Sequence, residues 1–168
     1  GEFEQARPVI EKFKEQFIDY FVLLTFFSPS GYEVRKNYKE ANYICYLPID
    51  TQKNAQKFIA TVKPSLAFFV KYEFWHHYLF LLKKENIPVV SFSTIFRKKQ
   101  IFFKPYGSFY RGMLHCFTHI FVQNDTSKKL LKRIGLLNVS LGGDTRFDRV
   151  KAIVDARKEI TIAKLFKD

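Results

Sequence analysis

Two glutamates hold the chemistry this sequence can offer, and each is defined by what stands next to it. Glu73 follows an unbroken apolar run, residues 66–70, that itself follows the Lys63-Pro64 break. Such a run reads as a strand buried on both faces of a parallel sheet. In open α/β sheets ligands bind beyond the carboxyl ends of the strands, which puts Glu73 on a binding edge, at the start of a helix ending near Lys84. Glu2 joins that edge if a strand precedes it. The same rule gathers Ser28, Ser30, Lys71, Ser93, Thr94, Gln123 and Arg146 there. A carboxylate among hydroxyls and cations can take the proton of an attacking hydroxyl, a contribution of ~10²–10⁴-fold in rate. Each glutamate could equally complement a helix N-terminus, worth about 0.3–1 kcal/mol. Spacing alone leaves both readings open.

A second stretch carries a different signal. Residues 92–111 contain no acid, and Arg97, Lys98, Lys99, Lys104 and Arg111 alternate with Phe96, Phe102, Phe103, Phe109 and Tyr110. A loop of this length inside one domain is usually functional. Its cations could meet lipid phosphates while its rings enter the headgroup layer, which makes Phe96, Lys99, Phe102, Phe103 and Lys104 candidate membrane-binding residues. Arg97 and Lys98 are candidates for a phosphorylated substrate. Aromatics among cations also suit single-stranded nucleic acid, and a solvated loop with rings folded back on the core is the bland alternative.

The elements that must position these residues follow from periodicity. Helical spacing covers residues 6–20, with Pro8 in the first turn. Strands are expected at 20–27, 42–47, 66–70, 88–92, 119–122 and 138–141. Between them lie helices opened by a Ser30–Glu33 capping box, by Asp50 and by Asp125, the last closed by Gly135. Asp148 onward reads as a basic helix. Strands and helices alternate through short connections, which predicts a doubly wound, mostly parallel α/β sheet. The helix at the very front lacks the strand such a fold starts from, so the sequence reads as a fragment beginning inside the first strand-to-helix loop.

The totals narrow the function. The 168 residues fit one domain, and 28 Lys and Arg against 16 Asp and Glu give a net charge of +12. That excess points to an anionic partner: nucleic acid, an anionic membrane or a phosphorylated substrate. Twenty Phe and nine Tyr exceed what a core this size absorbs comfortably, so some rings are expected at the surface. Cys45 and Cys116 form no disulfide framework or zinc spacing, which fits a reducing compartment. His115 and His119 are separated by a chain reversal and make a poor metal pair. No run reaches the length of a membrane span, no secretory signal is visible, and neither GxGxxG nor a P-loop occurs.

Six short motifs, in order, resemble the N-terminal domain of the Kdo (3-deoxy-D-manno-octulosonic acid) transferases. They are Gly1-Glu2 before Ala6-Arg7-Pro8, the segment 25–31 (TFFSPSG), Tyr46-Leu47-Pro48-Ile49-Asp50, Glu73-Phe74-Trp75, Gln123 with Asp125, and the segment 143–148 (GDTRFD). His76-His77 stand where the family often has Pro-Asn, and the segment 93–97 departs from the family's Asn-x-Arg-x-Ser. The resemblance implies a Rossmann-like N-terminal half of a GT-B glycosyltransferase, residues 1–148. Residues 149–168 would lead toward a C-terminal donor domain lying beyond this sequence. It further implies metal-free, cofactor-free, inverting transfer of Kdo from CMP-Kdo to a lipid A precursor at the cytoplasmic face of the bacterial inner membrane. Glu2 would be the general base and Glu73 a supporting carboxylate. Ser28, Ser30, Lys71, Arg97, Lys98 and Arg146 would bind substrate, and nucleic acid would not be a partner. The fragment alone is expected to be inactive.

Overall fold

The computed structural model describes residues 2–146. Gly1 and the expected basic helix from Asp148 onward lie outside the described residues. The order is α1 (Glu2–Gln16), β1 (Leu23–Phe26), α2 (Pro29–Arg35), β2 (Tyr43–Tyr46), α3 (Gln52–Val62), β3 (Ala67–Val70), α4 (His76–Lys84) and β4 (Val89–Thr94). A short 3-10 turn (Ile101–Phe103), α5 (Ser108–Leu114), β5 (His119–Val122), α6 (Asp125–Arg133) and β6 (Val139–Leu141) complete it. All strand pairs are parallel, as the alternation predicts. They form two sheets rather than one: β1-β2, and β3-β4-β5-β6.

The core lies under the larger sheet. Leu79, Leu114, Ile120, Val122 and Leu131 are fully enclosed there: β5 supplies Ile120 and Val122 from the sheet, and α4, α5 and α6 present Leu79, Leu114 and Leu131 from their apolar faces. β3 is less enclosed than its apolar run suggests, since Phe68 is 43% exposed. The reason is that β3 is an edge strand, paired only with β4.

Several boundaries shift for identifiable reasons. α1 begins four residues earlier than its apolar period suggests and holds Pro8 in its interior, with Glu2 and Glu4 in the first turn facing the positive end of the dipole. α2 is capped by Ser28, whose Oγ accepts from Gly31 N, with Pro29 in the first turn. Glu33 pairs with Lys36 instead of closing a capping box. Thr51, not Asp50, caps α3, and Asn124 rather than Asp125 caps α6. Asp50 is used elsewhere: both its carboxylate oxygens accept from His77 N, at 3.1 and 3.3 Å, so it caps the first turn of α4 from another segment.

The acid-free stretch is mostly ordered into core. Phe96 and Phe102 are 2% and 6% exposed, with Phe74 against both at 6.0 and 5.1 Å between ring centroids. Phe103 is half-buried beside them. The turn that carries them is tight: a Cβ on Gly107 would lie 2.0 Å from the carbonyl oxygen of Ile101. Arg111 is committed to the same turn, donating to the carbonyls of Phe102 and Lys104 at 3.2 and 2.9 Å. Membrane insertion of Phe96 and Phe102 is therefore corrected: these rings are interior packing. The exposed rings of the region are Tyr106, Phe109 and Tyr110.

Candidate functional site

The C-terminal ends of β1 and β3 converge on one edge, and α1 brings its N-terminus to the same place. Lys71 leaves β3 in a left-handed conformation (φ +56°), its backbone N–H still donating to Phe92 O. This kink turns the chain so that Lys71 Nζ lies 3.7 Å from Glu2 Oε1. Glu73 follows in the turn before α4, and Trp75 Nε1 donates to its carboxylate. Burial pushes the Glu73 carboxyl above its ordinary pKa; the Trp75 hydrogen bond opposes this, and the negative Glu2 nearby adds to it. Two carboxylates of unequal character thus share one edge: Glu2, exposed beside a cation, and Glu73, half-buried and inclined to hold its proton. Environments that push paired carboxyl groups apart are how a site separates acid and base roles.

Ser28 and Ser30 stand across the mouth from Glu73, with Oγ atoms 3.2 Å apart. Phe27 closes on Trp75 with ring centroids 4.7 Å apart, tying the end of β1 to the end of β3. Gly31 is required here because a Cβ would stand 2.8 Å from the Phe26 ring.

Behind the carboxylates lies a polar network that sequence reasoning did not identify. Thr145 Oγ1 donates to Gln5 O at 2.8 Å and lies 3.1 Å from Ser93 Oγ. Gln5 Nε2 donates to Asp144 Oδ1 at 3.1 Å. Gln5 is fully buried and its Oε1 has no partner. The one sequence signal for it was a polar residue beside Ala6 on the apolar face of α1. The network ties the start of α1, and with it Glu2, to the segment after β6.

The remaining candidates divide. Glu2, Lys71, Glu73, Ser28 and Ser30 come together. Arg146 reaches the network but its guanidinium is occupied by Asp144, whose carboxyl it holds well below the usual carboxylate range. Arg97, Lys98 and Lys99 are exposed in the turn after β4 and make no hydrogen bond or ion pair with Glu2, Lys71 or Glu73. Lys104 is half-buried at the end of the 3-10 turn. Among the described residues no three His, Cys, Asp or Glu converge as a metal-ligand set, and no helix is long and apolar enough to cross a membrane.

Parallel strands, alternating helices and a ligand edge at the strand ends define a Rossmann-like domain of the kind that forms half of a GT-B architecture. A UDP-GlcNAc 2-epimerase from Neisseria meningitidis, solved bound to UDP-GlcNAc, superposes with a TM-score of 0.69 at 16% identity, over 98% of this chain and 50% of that one. That likeness concerns the fold. The family described as 3-Deoxy-D-manno-octulosonic-acid transferase (kdotransferase) matches residues 1–149, and the chain belongs to it. Two curated relatives carry that activity in their names. The 3-deoxy-D-manno-octulosonic acid transferase of Haemophilus influenzae is 29% identical over 91 residues, 54% of this chain and 21% of its own. That of Rickettsia typhi is 26% identical over 121 residues, 67% of this chain and 24% of its own. The chain thus matches about a quarter or less of each relative's length.

Proposed function

We propose that this chain is the acceptor-side domain of an inverting transferase that moves Kdo from CMP-Kdo to a lipid A precursor. The observation that carries the reading is the Glu2–Lys71–Glu73 cluster at the strand edge, in a chain of the kdotransferase family. Glu2, exposed at the mouth, takes the proton of the acceptor hydroxyl as its oxygen bonds to the anomeric carbon of Kdo. The bond from that carbon to the CMP phosphate oxygen breaks on the opposite side, and CMP leaves with the electron pair. Lys71, 3.7 Å away, holds Glu2 in position. Glu73, which retains its proton more readily, donates to a sugar oxygen and orients the acceptor. Ser28 and Ser30 supply further polar contacts. The donor would be bound mainly by a second domain, so the 168-residue chain alone releases no CMP. The enzyme works at the cytoplasmic face of the inner membrane, where Arg97, Lys98, Lys99 and the exposed Tyr106, Phe109 and Tyr110 meet anionic headgroups.

The test is Glu2→Gln in the full-length enzyme, followed by CMP release with CMP-Kdo and lipid A precursor. An amide cannot accept the proton, so turnover falls on the order of 10²-fold or more while the fold is retained. A variant keeping half its activity removes Glu2 from the mechanism.

A further inference from the structure

The Glu2–Lys71 pair hangs on two backbones, and both are fixed from one point behind it. Glu2 is exposed and meets Lys71 Nζ at 3.7 Å. An ion pair of this kind contributes little by itself, so its geometry is only as good as the turns that carry it. Pro8, inside α1, supplies no N–H to the first turn of that helix, and neighbouring elements hold the turn instead. Phe3 packs against Phe26 and Tyr38, and Arg35 pairs with Glu4 at 2.6 Å. Those contacts come from the side of the smaller sheet. Gln5 makes the connection to the larger.

It does so first through its backbone. Gln5 O can only accept, so the single hydroxyl proton of Thr145 goes to it, at 2.8 Å. Ser93 Oγ, 3.1 Å from Thr145 Oγ1, must then be the donor of that second pair. Ser93 is itself unusual. It is 1% exposed and stands in left-handed backbone (φ +55°), where β4 shifts register against β5. Such backbone persists only where its surroundings enforce it, and it clusters at functional sites. Gln123 Nε2 donates to Ser93 O at 3.0 Å and locks the kink. The residue before Ser93 is Phe92, whose carbonyl receives Lys71 N at 3.0 Å. One hydroxyl, that of Thr145, thus joins the turn under Glu2 to the strand end that aims Lys71.

The side chain of Gln5 argues against a role in stability alone. Arg146 holds the Asp144 carboxyl well below the usual carboxylate range, so Asp144 Oδ1 can only accept. The nitrogen of the Gln5 amide must therefore face it, at 3.1 Å. Gln5 Oε1 is then left buried without a partner, a cost that an apolar side chain of the same shape would avoid. We propose that Thr145 and Gln5 are positioning residues for the transfer. They fix the first turn of α1 against the end of β4, so that Glu2 stands in a set place beside Lys71 and the acceptor hydroxyl. This rests on the reading of Glu2 as the base.

Steady-state kinetics of the full-length enzyme, with CMP-Kdo and lipid A precursor, tests it. Thr145→Val keeps the shape of the side chain and removes the hydroxyl. Its kcat should fall ~10–100-fold, since a misplacement of about 1 Å can cost ~10²-fold, while KM for the acceptor stays at the parent value. Thr145→Ser, which restores the hydroxyl, should recover at least half of the parent kcat. Gln5→Met should melt no lower than the parent and yet turn over roughly 10-fold more slowly. Added to Glu2→Gln, Thr145→Val should cost nothing further, because no base remains to be placed. A loss that appears in KM, a Thr145→Ser as slow as Thr145→Val, or a further loss in the double variant overturns the inference. Should Thr145→Val fail to fold, Gln5→Met decides alone: a slow, stable enzyme supports the inference and the parent kcat overturns it. Glu2→Gln at full rate overturns the base reading and this inference with it. An inactive Glu2→Gln beside parent-like Gln5→Met and Thr145→Val overturns this inference alone.

Discussion

Phe102 and Phe109 stand seven residues apart in one basic, aromatic stretch, and the structure assigns them opposite work. Phe102 is 6% exposed, with Phe74, Phe96, Phe103 and Tyr110 around it at centroid distances of 5.1–6.4 Å. Phe109 is 57% exposed, resting one face on His76. A buried aromatic removes ~150–250 Å² from water, which at ~25 cal/mol per Å² is roughly 4–6 kcal/mol. Truncations of buried Phe to Ala cost about 3–5 kcal/mol once partial relaxation is included. Against a total stability of ~5–15 kcal/mol, Phe102→Ala should lower the melting temperature by roughly 6–20 °C, at ~2–4 °C per kcal/mol for a domain of this size. Phe109→Ala should stay within about 0.5 kcal/mol of the parent. Urea unfolding measures both. Sedimentation with anionic vesicles then supplies the complementary reading: Tyr106→Ala with Phe109→Ala weakens binding at low salt while stability is kept. A Phe102→Ala protein as stable as the parent, yet poor at binding vesicles, would refute the assignment of that ring to the core.

Two other perturbations probe the site and its support. Glu73 is harder to ionise in the fold than in the unfolded chain, so its contribution to stability falls as pH rises from the ordinary glutamate range, near 4.3, through the raised folded value. Glu73→Gln keeps an acceptor for Trp75 and removes the charge; its melting temperature should match the parent at pH 4 and exceed it at pH 7, with activity reduced. Identical pH profiles for the two proteins would count against a costly buried charge. Asp50→Ala deletes the cap that α4 receives at His77 N and should cost about 0.5–2 kcal/mol in urea unfolding; no loss would mean that water replaces the carboxylate.

What was legible in the sequence was local. Apolar runs between helical periods gave the strands, and the strand-end rule gave the edge on which Glu73, Ser28 and Ser30 stand together. Choices that depend on distant residues were not legible. Asp50 and Thr51 are adjacent cap-forming residues, and only the position of α4 decides that one serves α3 and the other α4. In residues 92–111 composition showed rings among cations but not which rings turn inward, because that depends on Phe74 and on the turn that Gly107 permits. Gln5 and Thr145 meet across nearly the whole chain, and no spacing announces such a contact. Ser28-Pro29 was the stronger helix start than Ser30–Glu33, since a proline in the first turn gives up no intrahelical bond.

The order of the larger sheet bears on how the molecule comes together in time. Each of β3, β4, β5 and β6 lies beside its neighbour in sequence, so this half closes short loops and gathers its contacts early. β1 and β2 do the same on a smaller scale. The seam between the halves, held at its upper end by Phe27 against Trp75 and lower down by Phe13 against Phe68, is the long-range step and hence the late one. By the same logic it is the weakest cooperative boundary on warming. Glu2 and Glu73 sit together at the top of that seam. Heat inactivation should therefore begin there, at a temperature where the core around Leu79, Leu114 and Ile120 is still intact.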